Sequence, residues 1–271
     1  MNAKEVDIEH FIRDLLKSRK YRELELPEVT IRDLLQQEIS KYRTSREAFK
    51  VVRQKLHNIV ASYLGDADCQ TASEDLSAAF ACGDSQKVRA VCEALLRSHA
   101  STRERLKNLS DFYKQLFAVT GQPDSILDLA CGMNPFAFSW MALPTTIRYY
   151  AYDIHRPRVA LINQYFILQG LQPLAEVRDV LVAPPDVEAE VAFFFKEAHR
   201  FEQRRRGCNR DFWRVLRVKW LLVSLPAKDL TGHHSMIERQ RALIKRNLAG
   251  LSWPVTEVMF DSEIVFCIQK S

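Results

Sequence analysis

Apolar side chains recur at helical spacing over the first hundred residues. Ile8, Phe11, Ile12, Leu15 and Leu16 fall on one face, Pro27 breaks the pattern, and Val29, Ile31, Leu34, Leu35 and Ile39 resume it. A third helix is predicted from about Ser45, with Phe49, Val52, Leu56, Ile59, Val60 and Tyr63 as its stripe. Gly65 to Gly83 reads as polar loops around one short helix. Asp84 or Ser85 then caps a helix with Val88, Val91, Cys92, Leu95 and Leu96 inward. Ser101-Thr102-Arg103-Glu104 reads as a capping box opening a further helix, whose buried face is Leu106, Leu109, Phe112, Tyr113, Leu116 and Phe117. That places Arg105 in a first helical turn, beside free N–H groups that favour an anion.

After Gly121 the period changes. Strands are predicted at Ser125–Ala130, Arg148–Asp153, Glu176–Asp179, Glu190–Phe195, Lys219–Ser224, Glu257–Asp261 and Ile264–Gln269, with helices between them, notably Arg158–Gly170 and Ser235–Ala249. The last two strands are joined by a turn too short for a helix, so they pair antiparallel. The first strand runs into a Cys131-Gly132 turn, and Asp153 ends the second. An open α/β sheet binds nucleotides at such strand tips, and an acid there can hold both ribose hydroxyls. The ACGMNP turn has one glycine and no GxGxxG, which argues against NAD and FAD. The pattern is that of a class I methyltransferase: a Rossmann-like seven-stranded α/β sheet with an antiparallel C-terminal hairpin, at residues 101–271, preceded by an all-helical domain at 1–100.

Composition adds bounds. A chain of 271 residues with 47% apolar content has material for a large core, no run approaches a membrane span, and the first residues carry acids rather than a signal peptide's basic and apolar regions. A cytoplasmic, monomeric protein with no membrane attachment is expected. The six cysteines include no CxxC, and His233-His234 lacks HExxH spacing, so neither a disulfide framework nor a metal site is expected. A net charge of +5 permits an anionic partner. Arg46, Lys50, Arg53 and His57 share one helix face, and Lys17, Arg19, Lys20 and Arg22 cluster where the first helix ends. A one-sided stripe of this kind suits nucleic-acid phosphates, or is a solvated face.

The segments HASTRERL (His99 to Leu106), DLACGMNP (Asp128 to Pro135), YDIH (Tyr152 to His155), RDVL (Arg178 to Leu181) and VSLPAKDL (Val223 to Leu230) resemble the aminoglycoside-resistance 16S ribosomal RNA methyltransferases of the Arm/Rmt type. The similarity runs from SRKYREL (Ser18 to Leu24) to the last strand. It implies S-adenosylmethionine as cofactor and N7 of a guanosine in the decoding site of the 30S subunit as target. By the same resemblance, Arg105 with Thr102 meets the methionine carboxylate, the Ala130 and Gly132 backbones its amine, and Asp153 the ribose. Asp179 meets the adenine amino group and the Val180–Leu181 backbone the rest of the base, while His99, Asp128 and Ile154, in the same matched motifs, are assigned to cofactor binding as well. Lys196 and Glu202 match positions beside the target base. Where relatives carry an apolar pair and a proline after that lysine, this chain has Glu197, Ala198 and His199; a glycine-rich turn is replaced by Thr231-Gly232-His233-His234.

Guanine N7 has a lone pair and no proton, so the attack needs no general base, and no catalytic base or nucleophile stands out. Lys20, Arg46, Lys50 and Arg53 are assigned to RNA docking. Arg204 and Arg205, in the basic run after the fourth strand, are assigned to phosphates at the site entrance, a solvated loop being the alternative. The altered Glu197–His199 segment leaves open the same cofactor chemistry on another RNA base or a small molecule. A non-enzymatic RNA- or cofactor-binding paralogue is opposed by the intact Arg105, Asp153 and Asp179.

Overall fold

The computed structural model describes residues 3–61, 65–229 and 234–270, with side chains from residue 7 onward apart from Lys20. Six helices come first: α1 (Ala3–Lys17), α2 (Arg19–Arg22), α3 (Glu28–Glu38), α4 (Ser45–Val60), α5 (Cys69–Ala81) and α6 (Ser85–Ser98). Thr44 and Asp84 cap α4 and α6 by accepting from backbone amides of the first turn, and Asp68 does the same for α5. The predicted apolar stripes close the first cluster: Phe11, Ile12 and Leu15 of α1, Ile31, Leu34 and Leu35 of α3, and Val52, Leu56 and Val60 of α4. Ile154, from the sheet region, enters that same cluster.

The capping box does not form. Helix α7 spans only Ala100–Arg103, starts from His99, and has no side-chain cap. The Thr102 hydroxyl donates back to the Leu96 carbonyl at 2.6 Å, and Glu104 is drawn instead to the ammonium of Lys196. A 3-10 turn (Leu106–Asn108) and then α8 (Leu109–Thr120) follow. Arg105 therefore lies in the joint between two short helices, not in the first turn of a long one.

The strands are β1 (Ser125–Leu129), β2 (Arg148–Asp153), β3 (Ala175–Val177), β4 (Glu188–Phe195), β5 (Arg217–Pro226), β6 (Val255–Met259) and β7 (Glu263–Gln269). Their order is β3-β2-β1-β4-β5-β7-β6. β1 to β5 are parallel, and β7 runs antiparallel to both β5 and β6. Four helices complete the sheet region: α9 (Arg156–Gln169), α10 (Ala198–Arg204), α11 (Cys208–Val215) and α12 (Ile237–Asn247). α9 begins two residues earlier than the spacing predicts because Pro157 fits a first helical turn, and it ends on the left-handed Gly170. β3 stops at Val177, since the carbonyl of Asp179 receives the amides of Val182 and Ala183 in a turn.

Two apolar layers sandwich the sheet. One joins Leu76 of α5, Leu95 and Leu96 of α6 and Phe112 and Leu116 of α8 to Ile126, Tyr149 and Phe193 of the strands. The other joins Phe201, Phe212, Trp213 and Ile244 to Leu127, Phe194 and Leu221. The predicted domain boundary falls at residue 100, whereas the apolar clusters divide between α4 and α5. The segment after β1, Asn134–Trp140, is a 3-10 helix with Phe136, Phe138 and Trp140 buried in the first layer, so these aromatics are core. Among the described residues no helix is long and apolar enough to cross a membrane.

Candidate active site

The carboxyl ends of β1, β2 and β4 meet in a set of tight turns. Ala130 (φ 52°), Gly132 (φ 54°) and Lys196 (φ 60°) all take left-handed backbone. For the two non-glycine residues this costs about 1–3 kcal/mol each, a strain found where a site over-determines the chain. Lys196 is pinned there because its amide donates to the Ser224 carbonyl at 2.9 Å. A Cβ at Gly132 would lie 3.0 Å from His99 Nε2, so the turn favours glycine both by its left-handed backbone and because a side chain would have to displace the His99 ring.

Asp153, at the tip of β2, is 2% exposed. Its Oδ2 accepts from the Gly132 amide at 3.0 Å and from Arg158 at 3.0 Å, and its Oδ1 from the His155 amide at 2.8 Å. Burial works against the charge, but Arg158 and the two amides outweigh it and hold the carboxyl below the usual carboxylate range. Arg158, fully buried, also pairs with Asp66 from the α4–α5 loop, and Asp66 meets His99 Nδ1 at 2.8 Å. Asp179, just past β3, is 3% exposed. Its Oδ2 accepts from the Thr30 hydroxyl and from Arg204, and its Oδ1 from the Leu181 amide.

Arg105 is sandwiched between the rings of Phe112 and Phe195, with its guanidinium carbon 4.8 and 4.5 Å from their centroids. It donates Nε and Nη2 to Glu263 at 2.6 and 2.8 Å, Nη2 to Ser224 at 3.1 Å and Nη1 to Asn134 at 3.4 Å. Of the five guanidinium hydrogens, one on Nη1 has no acceptor among these. The Thr102 hydroxyl proton is spent on backbone carbonyls, so Thr102 shapes the turn and has no donor for a carboxylate.

Asp128 lies a layer deeper. It accepts from Asn134 at 2.9 Å and from the Tyr149 hydroxyl at 2.7 Å, and burial pushes its carboxyl up to about 7. A folded-state value above the unfolded one means that the native protein binds the extra proton between about pH 4 and 7, and that stability from this group falls as pH rises through that window. Asp128→Asn is therefore expected to gain stability relative to the parent as pH rises from 5 to 8, read from urea midpoints at each pH. A difference independent of pH would place the titration elsewhere.

Two clefts adjoin these turns and meet at α10. The narrower is lined by Ala130, Ile154, Asp179, Val180, Glu197 and Phe201. The broader carries Arg103, Lys107, Arg200, Arg206, Arg239 and Arg246 on its walls. Arg200 and Gln203 line both. His199 faces the broader cleft; burial, then the charges of Arg200, Arg239 and Lys196, push it down to about 4, so the ring is neutral at pH 7 with a buried Nδ1 that makes no hydrogen bond.

The chain matches the family model for ribosomal RNA methyltransferase (FmrO) over residues 17–267. It belongs to this family. It is similar to the 16S rRNA (guanine(1405)-N(7))-methyltransferase of Frankia casuarinae, with 29% identity over 100% of this chain and 96% of the relative. The enzyme of the same description from Micromonospora echinospora is 28% identical over 99% of each chain. The fold matches that of the 16S rRNA methyltransferase RmtF solved in complex with S-adenosyl-L-homocysteine, with TM-score 0.80 and 24% identity over 100% of both chains.

Within this methyltransferase fold, Arg105, Ala130, Gly132, Asp153, Ile154, Asp179, Val180, Leu181 and Lys196 gather at the sheet tips. Glu202 instead receives the Gly207 amide at 2.9 Å and an Asn209 hydrogen bond at 3.1 Å, bracing the turn after α10. Arg46, Lys50 and Arg53 are exposed on α4, opposite its buried stripe. Arg205 is half-exposed, 3.8 Å from Asp33. The Lys20 side chain and residues 230–233 lie outside the described residues. Arg204 departs from its assignment: it is 8% exposed and bonded to Asp33 and Asp179, so it offers no surface to RNA phosphates. The residues that sequence reasoning missed are Thr30, Asp33, Asp66, Arg158 and Glu263.

Proposed function

We propose that this protein transfers the methyl group of S-adenosylmethionine to N7 of the decoding-site guanine of 16S rRNA in the small ribosomal subunit, and thereby protects its host from kanamycin- and gentamicin-type drugs. The observation that carries this reading is the near full-length likeness to enzymes of that description, in a chain that gathers the required groups at one sheet edge. The residues present fit the cofactor. Asp153 Oδ1 and Asp179 Oδ1 each hold one backbone amide, which leaves acceptor capacity for ribose hydroxyls and an adenine amino group. The side-chain-free turn at Gly132 would let backbone approach the amine, and the spare Nη1 hydrogen of Arg105 would be the donor for the carboxylate.

The sulfonium supplies an already activated methyl group. What the protein contributes is alignment and exclusion of water, within the roughly 7–11 kcal/mol that orientation effects supply. Lys196, buried and paired with Glu104 of the broader cleft, would border the target base together with the neutral ring of His199. The basic walls of the broader cleft hold the RNA backbone around the extruded guanine, offsetting an unstacking cost of a few kcal/mol.

The test is to incubate isolated small subunits with labelled cofactor and map the product. N7-methylguanine at the decoding-site position is expected. Methylation of free nucleosides or small molecules but not of subunits would overturn the assignment. A second measurement isolates docking. Arg46→Ala with Arg53→Ala is expected to weaken subunit binding about tenfold or more and to reduce the slope of log affinity against log salt by about 1–2. Affinity for S-adenosylhomocysteine should not change. An unaltered salt slope would remove α4 from the interface.

A further inference from the structure

The last residue of α10, Arg204, sits where three parts of the chain converge. Its Nη1 reaches Asp179 Oδ2 at 2.7 Å, and its Nη2 reaches Asp33 Oδ2, on α3, at 2.7 Å. Its backbone carbonyl accepts from Lys55 of α4 at 3.3 Å, and Lys55 also bonds the buried Glu38 of α3. Thr30, fully buried in the first turns of α3, donates its hydroxyl to the same Asp179 oxygen at 2.8 Å. Two groups from outside the sheet thus claim Oδ2 of Asp179. Among the described residues Oδ1 holds only the Leu181 amide, within the carboxylate's own turn.

This division of labour fixes the carboxylate plane. A carboxylate with both oxygens equally free would swing about its terminal torsion, which is broad and two-fold. Here one oxygen is anchored by a guanidinium and a hydroxyl, so the other is held at a set angle beside the narrow cleft that Asp179 and Arg204 line together with Ala130 and Val180. Both anchors come with the helical region: Thr30 lies on α3, and Arg204 is itself held by Asp33 of α3.

We infer that Arg204 and Thr30 are positioning residues for recognition of the cofactor's base, acting through Asp179, so that the docking helices of the N-terminal region and the adenine pocket form one mechanical unit. The inference rests on the proposed contact between Asp179 and the adenine amino group. It also explains why an arginine in an otherwise exposed basic run is turned inward.

The experiment is calorimetric titration of the full-length protein with S-adenosylhomocysteine and with S-inosylhomocysteine, which carries a 6-oxo group in place of the 6-amino group. The parent protein should prefer the amino compound by about tenfold or more, since the oxo group meets Asp179 acceptor to acceptor. Thr30→Val keeps the shape and removes the hydroxyl, and Arg204→Gln removes the fork. Each is expected to bind S-adenosylhomocysteine about 3–10-fold more weakly while binding the inosyl compound as the parent does, so the preference shrinks. A variant that loses affinity for both compounds equally, or keeps the parent's preference, overturns the positioning role. Thr30→Val carries the test alone if Arg204→Gln does not fold. A parent protein with no preference would fail the adenine reading itself, and the inference with it.

Discussion

Arg105→Ala is expected to cost the protein about 3–5 kcal/mol of stability, the usual penalty for stripping one partner from a buried ion pair. Both side chains are almost wholly inside, 2% exposed for Arg105 and 0% for Glu263. The alanine would leave a carboxylate among Phe112, Phe195 and the β5–β7 strands, with Ser224 and Asn134 also losing a donor. A thermal midpoint lower by on the order of 10 °C would accompany the loss. The pH dependence separates this cause from simple cavity formation. In the parent, burial works against Glu263, but the charge and hydrogen bonds of Arg105 outweigh it and hold the carboxyl below its ordinary value. The pair then contributes stability above the unfolded carboxylate range and loses it as pH falls through the folded value. Without Arg105 burial dominates, the folded value rises above the unfolded one, and the sign reverses. The deficit of Arg105→Ala should therefore be largest at pH 8 and shrink toward pH 5, and a second change, Glu263→Gln, should recover part of it. Denaturant unfolding at pH 5, 6, 7 and 8 decides this; a deficit that does not vary with pH would mean that the lost contacts are apolar.

The strands were legible because a parallel sheet covered on both faces is written as short apolar runs, and runs such as Ser125–Leu129 and Arg148–Asp153 are bounded by turn residues. Asp153 was legible as the acid that ends such a run, and Asp179 through the resemblance of its RDVL segment. Helix α4 was legible twice over, in its buried stripe and in the basic face opposite. What failed were readings that depend on which of several polar partners wins. Ser101 and Glu104 have capping-box spacing, yet Glu104 is outbid by a lysine 92 residues away in the chain. Arg204 sits in an RRR run that looks solvated, yet it is drawn inward by Asp33 and Asp179, and the contact with Asp33 spans 171 residues. Glu263 opens a strand and meets Arg105 across 158 residues. Charge pairs of this kind have no period and no local signature, so only the tertiary fold reveals them. The sheet-tip acids and the arginines behind them divide in the same way: the acids lie at or just past strand ends, whereas Arg158 and Arg204 reach them only through packing.

Asp153→Ala tests that separation most directly. Asp153 is divided between its oxygens, with Oδ2 committed to the Gly132 amide and Arg158, and Oδ1 to the His155 amide, so that Oδ1 keeps acceptor capacity. Its loss should reduce affinity for S-adenosylhomocysteine by about 100-fold, as expected for hydrogen bonds from two hydroxyls to one charged acceptor. It should also destabilise the free protein by several kcal/mol, because two backbone donors and a fully buried guanidinium lose their acceptor. Arg158→Met changes the balance between these two effects. It removes the counter-ion of Asp153 and Asp66 but keeps the carboxylate and its two amide donors, so stability should fall comparably while cofactor affinity falls much less. Calorimetry with S-adenosylhomocysteine alongside thermal melts of both variants measures the two quantities independently. If Arg158→Met lost as much affinity as Asp153→Ala, the ribose would depend on the shape of the β2 tip and not on the carboxylate. If Asp153→Ala bound as tightly as the parent, the acid at that tip would be a strap for the Gly132 turn alone, and the hydroxyls would have to be held from elsewhere in the cleft.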